Sequence, residues 1–558
     1  MKVSGTEREK QPYSAALKEW ILPVLALLPG LLLILYYVTG PAAGHMTSDC
    51  TDSLRWGQAS YLSGRLISDD FTYAALLPFG GNLIFWPLIA LFGYGLKAQI
   101  WGMTIFMLLF AGALYYLGRG LKLGRTASAG LVSVSMLLLS SSEKLREIMW
   151  EHIFYYNLGI LFFCVSFGLA LRLRHTGREM LETPKGKRWW IVRLICLGLF
   201  SLAAGSDGLM SLVCCSLPVL ASLAAERFLD GKTKLFARQN FRSWVTFAVI
   251  LASSAAGFLL IPAITHGVKA GYADGYSRYS AMSKWTENAQ NFLLNWLKLF
   301  GVSTNRESFM SGEALLAALR IFGALLLLIL PFILLIRLPK IKNTRLKMLV
   351  SAHAAVSALI LFAVIFGSLG NTAWRLAPML GTAILTTYTA AVCALKSGTL
   401  TRRVCVTGLL VLGLLCALPA NEIRKLPTDY NRDSARFTAA AELKARGLKY
   451  GYATFWWCEL ITVFSDNEVQ ASNMIITKEN VPGVTTYQDD KNNYKDKDTD
   501  CYFLLLSATE NETMAKWLEQ QREEEKITDC IVIDTKEYAG PGGSGKKLYV
   551  YLFRENIF

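Results

Sequence analysis

Long apolar runs alternate with short polar turns through the first 420 residues, and shorter strand-like runs replace them afterwards. Many of the long runs hold about 17 to 25 residues, enough to cross a hydrocarbon core as helices. They fall at about 20–38, 98–117, 126–140, 153–171, 191–205, 209–225, 245–262, 315–336, 349–367, 376–395 and 404–418. Interiors rich in Val, Leu and Ala, with Trp and Tyr near the ends, predict helices and not a β-barrel. A further apolar stretch at 77–95, LPFGGNLIFWPLIALFGYG, is broken by Pro78, Gly80, Gly81, Asn82 and Pro87.

Charge orients these runs. The chain carries 57 basic and 42 acidic residues, a net of +15. Residues 421–558 hold 18 basic and 23 acidic residues, so the whole positive excess lies before them. It sits in alternate short turns: Lys2, Arg8, Lys10 and Lys18; Arg119, Lys122 and Arg125; the stretch 172–193; Arg227 to Arg242; Arg337 to Lys347; and Lys396, Arg402 and Arg403. Such turns face the cytoplasm. About eleven transmembrane helices follow, with a cytoplasmic N-terminus and an extracytoplasmic C-terminus. Only one crossing then fits between residue 45 and the basic turn at Arg119, so 83–94 is expected to be an interfacial or re-entrant segment. The basic excess reports membrane orientation, and no aromatic-studded basic platform for nucleic acid is present.

Residues 421–558 read as a soluble α/β domain beside a transmembrane domain at 1–420. KYGYATFWW, VQASNMIIT, CYFLLLSA, CIVIDT and KLYVYLF have strand character, and 511–526 has helical spacing. GPGGSGKK at 540–547 approaches a phosphate-binding loop, but Lys547 stands where a hydroxyl is needed and a strand follows instead of a helix. It is expected to be a hairpin turn. The eleven cysteines show no CxxC spacing, and seven lie inside apolar runs. Of the others, Cys50, Cys458, Cys501 and Cys530 could pair in an oxidising compartment.

The topology brings candidate chemistry to one face. The first outer loop, about 40–97, contains HMTSDCTDSLRW with Asp49 and Asp52. Other outer turns bring Glu147, Glu151, His152, Asp207, Arg278 and Arg375 to the same side. Each has a plain alternative. Asp49 and Asp52 are also solvated loop acids, Asp207 a helix cap, and Glu151 with His152 an interfacial pair. Arg375 is either a fork for phosphate oxygens or a snorkelling anchor. Ionisable groups meeting at a membrane face suit a reaction between a lipid and a water-borne partner. No HExxH motif occurs.

The many-helix N-terminal part, SDCTDSLRW, LPFGGNLIFWPLIALFG, EHIFYYNLG and YGYATFWWCELITVFSDNEV together resemble the GT-C superfamily. These are membrane glycosyltransferases related to protein O-mannosyltransferases, aminoarabinose transferases and oligosaccharyltransferase catalytic subunits. The resemblance implies transfer of a sugar from a polyprenyl-phosphate carrier to a glycan, lipid or protein acceptor. It implies Asp49 or Asp52 as general base, Arg375 on the phosphate, and Asp207, His152, Glu151 and Arg278 as substrate-binding groups. The loop pair is D-x-x-D, and the second outer loop offers KLREIMWEH in place of a D-x-D, which leaves the need for a divalent metal open. The alternative is a transporter or flippase, or a non-catalytic binder, of lipid-linked sugars; a transporter should show internal repeats and broken helices at midplane, and the chain shows no convincing repeat.

Overall fold

The structure, a computed structural model, describes residues 13–558 apart from 177, 231–239, 269–277, 303–307, 309, 370–371, 396–398, 429–433, 486 and 541. The basic residues Lys2, Arg8, Lys10, Lys232, Lys234, Arg238 and Lys396 therefore lie outside the described residues. Among those described, ten helices are long and apolar enough to cross a membrane: Glu19–Thr39, Leu96–Gly120, Tyr155–Arg174, Pro184–Ser206, Leu209–Phe228, Phe241–Leu259, Gly312–Ile336, Thr344–Ile365, Ala373–Leu395 and Val406–Lys425. The protein is a multi-pass membrane protein. The remaining expected crossing is the 14-residue helix Arg125–Leu138. It packs so closely on the first span that the Gly30 N–H donates to Ser133 Oγ at 2.6 Å.

The broken stretch after loop 1 is helical only over Gly81–Phe92, 12 residues. At 1.5 Å per residue it covers about 18 Å, too short to span. It lies against the loop 1 helix Asp52–Ser63. Glycine permits this approach, since a Cβ on Gly81 would come within 2.6 Å of Ser53 Cβ, and one on Gly57 within 2.5 Å of Phe85 Cβ. The Asn82 side-chain amide fixes the pair by donating to Ser60 Oγ (2.8 Å) and the Leu66 carbonyl (3.0 Å).

The C-terminal region forms one six-stranded sheet: β1 (Tyr450–Thr454), β2 (Gln470–Ile476), β3 (Pro482–Val484), β4 (Tyr502–Ser507), β5 (Ile527–Gly540) and β6 (Gly543–Phe553). The strand order is β3-β2-β1-β4-β6-β5. β2, β1 and β4 run parallel, while β3, β6 and β5 are antiparallel to their neighbours. Every residue of β4 is buried, because helices cover both faces there. Trp457, Ile461 and Leu443 pack on one face, Met514 and Leu518 on the other.

One expectation is corrected. KYGYATFWW does not form a single strand: β1 ends at Thr454 and Phe455–Phe464 is a helix. The cause is topological, since parallel β1 and β2 need a crossover between them. The expected helix at 511–526 is two short helices, Ala508–Thr513 and Ala515–Glu523. The glycine-rich stretch closes the β5–β6 hairpin, with Gly542, Gly543 and Gly545 at φ of +88°, +108° and +126°. Cys50, Cys458, Cys501 and Cys530 are all free.

The sheet domain is locked to loop 1 by a buried polar junction. Arg55 Nη2 lies 2.8 Å from Glu459 Oε1 and 3.6 Å from Asp489 Oδ1. Tyr94 donates its hydroxyl to Glu459 at 2.7 Å, and Trp56 Nε1 donates to Gln488 Oε1 at 2.9 Å. Backbone pairing extends the joint: the Thr72 N–H donates to the Asp489 carbonyl (2.9 Å) and the Lys491 N–H to the Asp70 carbonyl (3.0 Å). Burial drives Glu459 and Asp489 above the usual carboxylate range, and Arg55 opposes it in both. Asp69 pairs with Arg65 at the surface.

Candidate active site

After the first span the chain turns at Gly40 and Pro41 and tightens into a 3₁₀ turn, Ser48–Thr51, that runs directly into the helix Asp52–Ser63. The Thr51 hydroxyl donates to the Ser48 carbonyl at 2.7 Å and holds the turn. Asp49 and Asp52 are three residues apart on this helical path, so their side chains share a face. That face borders a cavity of about 670 Å³ at the bundle end that carries the sheet domain. Its size suits a small-molecule ligand.

Stretches distant from this turn supply much of the rest of the cavity. The turn after Arg125–Leu138 brings Lys144, Glu147 and His152, and the start of the next span brings Phe154, Tyr155 and Tyr156. The hairpin between Pro184–Ser206 and Leu209–Phe228 brings Asp207, followed by Met210 and Val213. Val213 lies in a short π-helical stretch, Leu212–Ser216, a distortion frequent where helices line functional sites. Trp374 and Arg375 come from the 3₁₀ turn Ala373–Leu376 that begins a late span. The sheet domain supplies Tyr487, anchored through its neighbour Gln488, whose Oε1 also accepts from the Ala74 N–H at 3.3 Å.

The charges differ in their surroundings. Asp52 is buried, and one of its oxygens, Oδ1, has no hydrogen-bond partner among the described residues. Burial raises its pKa well above the usual carboxylate range, the nearby Asp49 charge adds to the rise, and Arg55 opposes it. Asp49 is raised by burial and pulled back by Lys144. The two acids therefore resist ionising together. Lys144 hydrogen-bonds Glu147, and its ammonium stands 4.7 Å from the Trp374 ring centroid. Burial, with Lys144 adding to it, pushes the His152 imidazole down to about 3, so it stays neutral. Arg375 is buried at 6% exposure. A neutral imidazole, two cations, the loop 1 carboxylate pair, Glu147 and Asp207 thus face one cavity whose remaining wall is mostly aromatic and aliphatic.

Of the residues singled out from sequence, Asp49, Asp52, Glu147, His152, Asp207 and Arg375 line this cavity. Glu151 and Arg278 are not among its lining residues. The Glu151 side chain turns into the protein, where it accepts from the Tyr37 hydroxyl and from Cys50 Sγ at 3.2 Å. Burial, then the Glu147 charge, pushes it up to about 7. Gln99 Nε2 spans the Cys50 carbonyl (3.1 Å) and the Glu151 carbonyl (2.5 Å), so this cluster braces the turn that carries Asp49. Arg278 is exposed, and its carbonyl accepts from the Ser368 N–H at 2.8 Å. Three lining or supporting residues were missed from sequence: Lys144, Arg55 and Tyr487. Lys144 carried a signal, since Lys144 and Glu147 are one helical turn apart in a loop already assigned to this face.

Among the described residues no group of three or more His, Cys, Asp or Glu could hold a metal ion.

The architecture is shared with solved membrane proteins. ArnT from Cupriavidus metallidurans in the apo state matches with a TM-score of 0.51 at 11% identity, over 96% of this chain and 98% of that one. The same ArnT bound to undecaprenyl phosphate matches at 0.49 and 11%, over 97% and 98%. The apo oligosaccharyltransferase of Archaeoglobus fulgidus gives 0.44 and 12%, over 96% and 75%. No protein family and no curated protein sequence matches the chain. At the level of fold, the chain resembles ArnT: a multispanning helical membrane part followed by a C-terminal α/β domain. The first of these likenesses, nearly end to end in both chains, carries that statement.

Proposed function

We propose that the protein is a glycosyltransferase that moves a sugar from a polyprenyl-phosphate donor to an acceptor at the extracytoplasmic membrane face. One observation carries this reading. The cavity combines a loop 1 carboxylate pair with two cations, Lys144 and Arg375, inside a wall that is largely apolar and aromatic. An apolar wall suits isoprene units, and Lys144 and Arg375 suit the phosphate that leaves as the sugar departs. The basic turns orient the N-terminus to the cytoplasm and the cavity to the outside.

In this scheme the acceptor hydroxyl attacks the sugar carbon that is bonded to phosphate. That carbon–oxygen bond breaks, the lipid phosphate keeps the electron pair, and the hydroxyl proton passes to the Asp49/Asp52 pair. The Asp49 charge discourages ionisation of Asp52, and the pair takes up one proton per turnover. Neutral His152 adds no cation beside the base. A divalent ion, if used, would find Asp49 and Asp52 as its protein ligands, with phosphate oxygens and water completing the shell.

The test is reconstitution in proteoliposomes with radiolabelled polyprenyl-phosphate sugars, comparing wild type with Asp49→Asn and Asp52→Asn. Turnover by wild type, reduced at least 10²-fold in one of the two variants, is the expected result. Turnover unchanged in both variants overturns the base assignment. Lipid scrambling with no turnover for any donor favours a transporter instead.

A further inference from the structure

Asp207 has a role that neither catalysis by the loop 1 pair nor helix capping explains. It stands at the tip of the hairpin between Pro184–Ser206 and Leu209–Phe228. Gly208, at φ +89°, takes the left-handed turn that reverses the chain. Neither Asp207 oxygen accepts from the backbone of the next helical turn, whose N-cap is Gly208, so Asp207 does not cap it. Its carboxyl is turned into the cavity instead and is only 5% exposed.

Inside, the carboxyl is poorly satisfied. Oδ1 accepts one long bond from the Phe79 N–H, 3.4 Å. Oδ2 is buried and has no hydrogen-bond partner among the described residues. Burial raises the group well above the usual carboxylate range, the Phe79 N–H opposes, and no charged side chain acts on it. This sets it apart from Asp49, Asp52 and Glu147, each of which feels Lys144 or another carboxylate. Asp207 enters the cavity beside Leu209, Met210 and Val213. A buried acid oxygen left unpaired in an apolar wall is unfavourable unless a ligand completes it.

We propose that Asp207 is the sugar-recognition residue of this cavity: its unpaired oxygen hydrogen-bonds a hydroxyl on the sugar ring, remote from the carbon that reacts. The inference rests on the polyprenyl-phosphate reading above, and it names a hydroxylated monosaccharide as what the lipid must carry. The division of labour follows from charge. The phosphate belongs with Lys144 and Arg375, and the reacting carbon must lie within reach of Asp49 and Asp52. The far edge of the ring is then left to Asp207. A sugar hydroxyl both donates and accepts, so it satisfies this carboxyl whether or not the acid is ionised. A site built around such a bond rejects a ligand that lacks the hydroxyl.

The test measures binding, not turnover. Purified full-length protein in detergent micelles is titrated, by native mass spectrometry, with undecaprenyl phosphate and with a panel of undecaprenyl-phosphate hexoses and pentoses. Wild type should bind at least one sugar-bearing lipid about tenfold more tightly than the bare lipid. Asp207→Leu should abolish that preference while leaving bare-lipid affinity within about twofold. Asp207→Asn, which keeps the shape and a hydrogen-bonding oxygen, should retain part of the preference and guards against misfolding of the Leu variant. A wild type with no preference for any sugar, or an Asp207→Leu variant that keeps the full preference, overturns the assignment. Equal loss of bare-lipid and sugar-lipid binding in both Asp207 variants also overturns it, by showing a structural role. Failure of wild type to bind any polyprenyl phosphate is a different result, since it overturns the donor reading and this inference with it.

Discussion

Replacing Arg55 by Met should release the sheet domain from loop 1. Arg55 is 5% exposed, and its partners Glu459 and Asp489 are 8% and 1% exposed, at 2.8 and 3.6 Å. At an effective dielectric of about 20 the gross attractions are about 6 and 5 kcal/mol, most of it offset by the desolvation of all three groups. The net worth of the ion pair is therefore small, but removing only the cation leaves two carboxylates buried together. That change costs about 3–5 kcal/mol, or about two to three and a half powers of ten in the population of the opened joint. Native-state hydrogen exchange reads it directly at the Thr72 and Lys491 amides, which bond to the Asp489 and Asp70 carbonyls across the joint. Arg65→Ala is the control: its pair with Asp69 is 54% and 47% exposed, and such surface pairs contribute about 0–1 kcal/mol. The pH dependence has a defined sign. Glu459 and Asp489 have raised folded pKa values, and losing Arg55 raises them further. Their protonated forms favour the folded state, so the defect should shrink as pH falls and grow as pH rises. A variant that exchanges these amides no faster than Arg65→Ala would refute the reasoning, as would a defect that worsens in acid.

Three further outcomes follow from named contacts. Glu151 is raised to about 7 from an ordinary value of 4.5, so its contribution to stability is full below the lower value and is lost as pH rises through the upper one. Glu151→Gln should flatten thermal stability in detergent between about pH 5 and 8, and an unchanged slope would count against the assignment. A methyl group on Gly257 would lie 2.1 Å from the Leu202 carbonyl oxygen, whereas one on Gly112 would meet nothing within 4 Å. Gly257→Ala should cost about 1–3 kcal/mol and lower the melting temperature, while Gly112→Ala should be neutral or mildly stabilising. In Asp49→Asn, loss of the neighbouring charge should lower the Asp52 pKa and move the acid limb of the pH–rate profile downward. An unmoved limb would show that Asp52 does not set it.

The spans were legible because hydropathy and basic turns are local signals that require no partner. The same signals placed Asp49, Asp52, His152, Asp207 and Arg375 on one face, and the cavity gathers all five. What sequence could not supply is the direction in which a side chain turns. Glu151 and His152 are adjacent, yet His152 borders the cavity while Glu151 faces Tyr37 and Cys50. Arg55 looked like one more loop cation because its carboxylates lie some 400 residues away in sequence. FWWCELITVF is hard to read for a different reason: a ten-residue run with eight apolar residues fits a buried strand or a buried helix, and only the parallel pairing of β1 with β2 decides.

The joint between loop 1 and the sheet domain also sets an order of assembly. Thr72 and Asp489, which hydrogen-bond each other, are 417 residues apart in sequence. At roughly 5–20 residues per second, about 20–80 s of translation separate them. For that interval Arg55 has no carboxylate partner and the cavity lacks its Tyr487 wall. A chain stalled or cleaved before residue 487 would contain Asp49, Asp52, Asp207 and Arg375 yet would lack the Tyr487 wall of the cavity. A region made long after the first loop is thus needed to complete the cavity that loop borders.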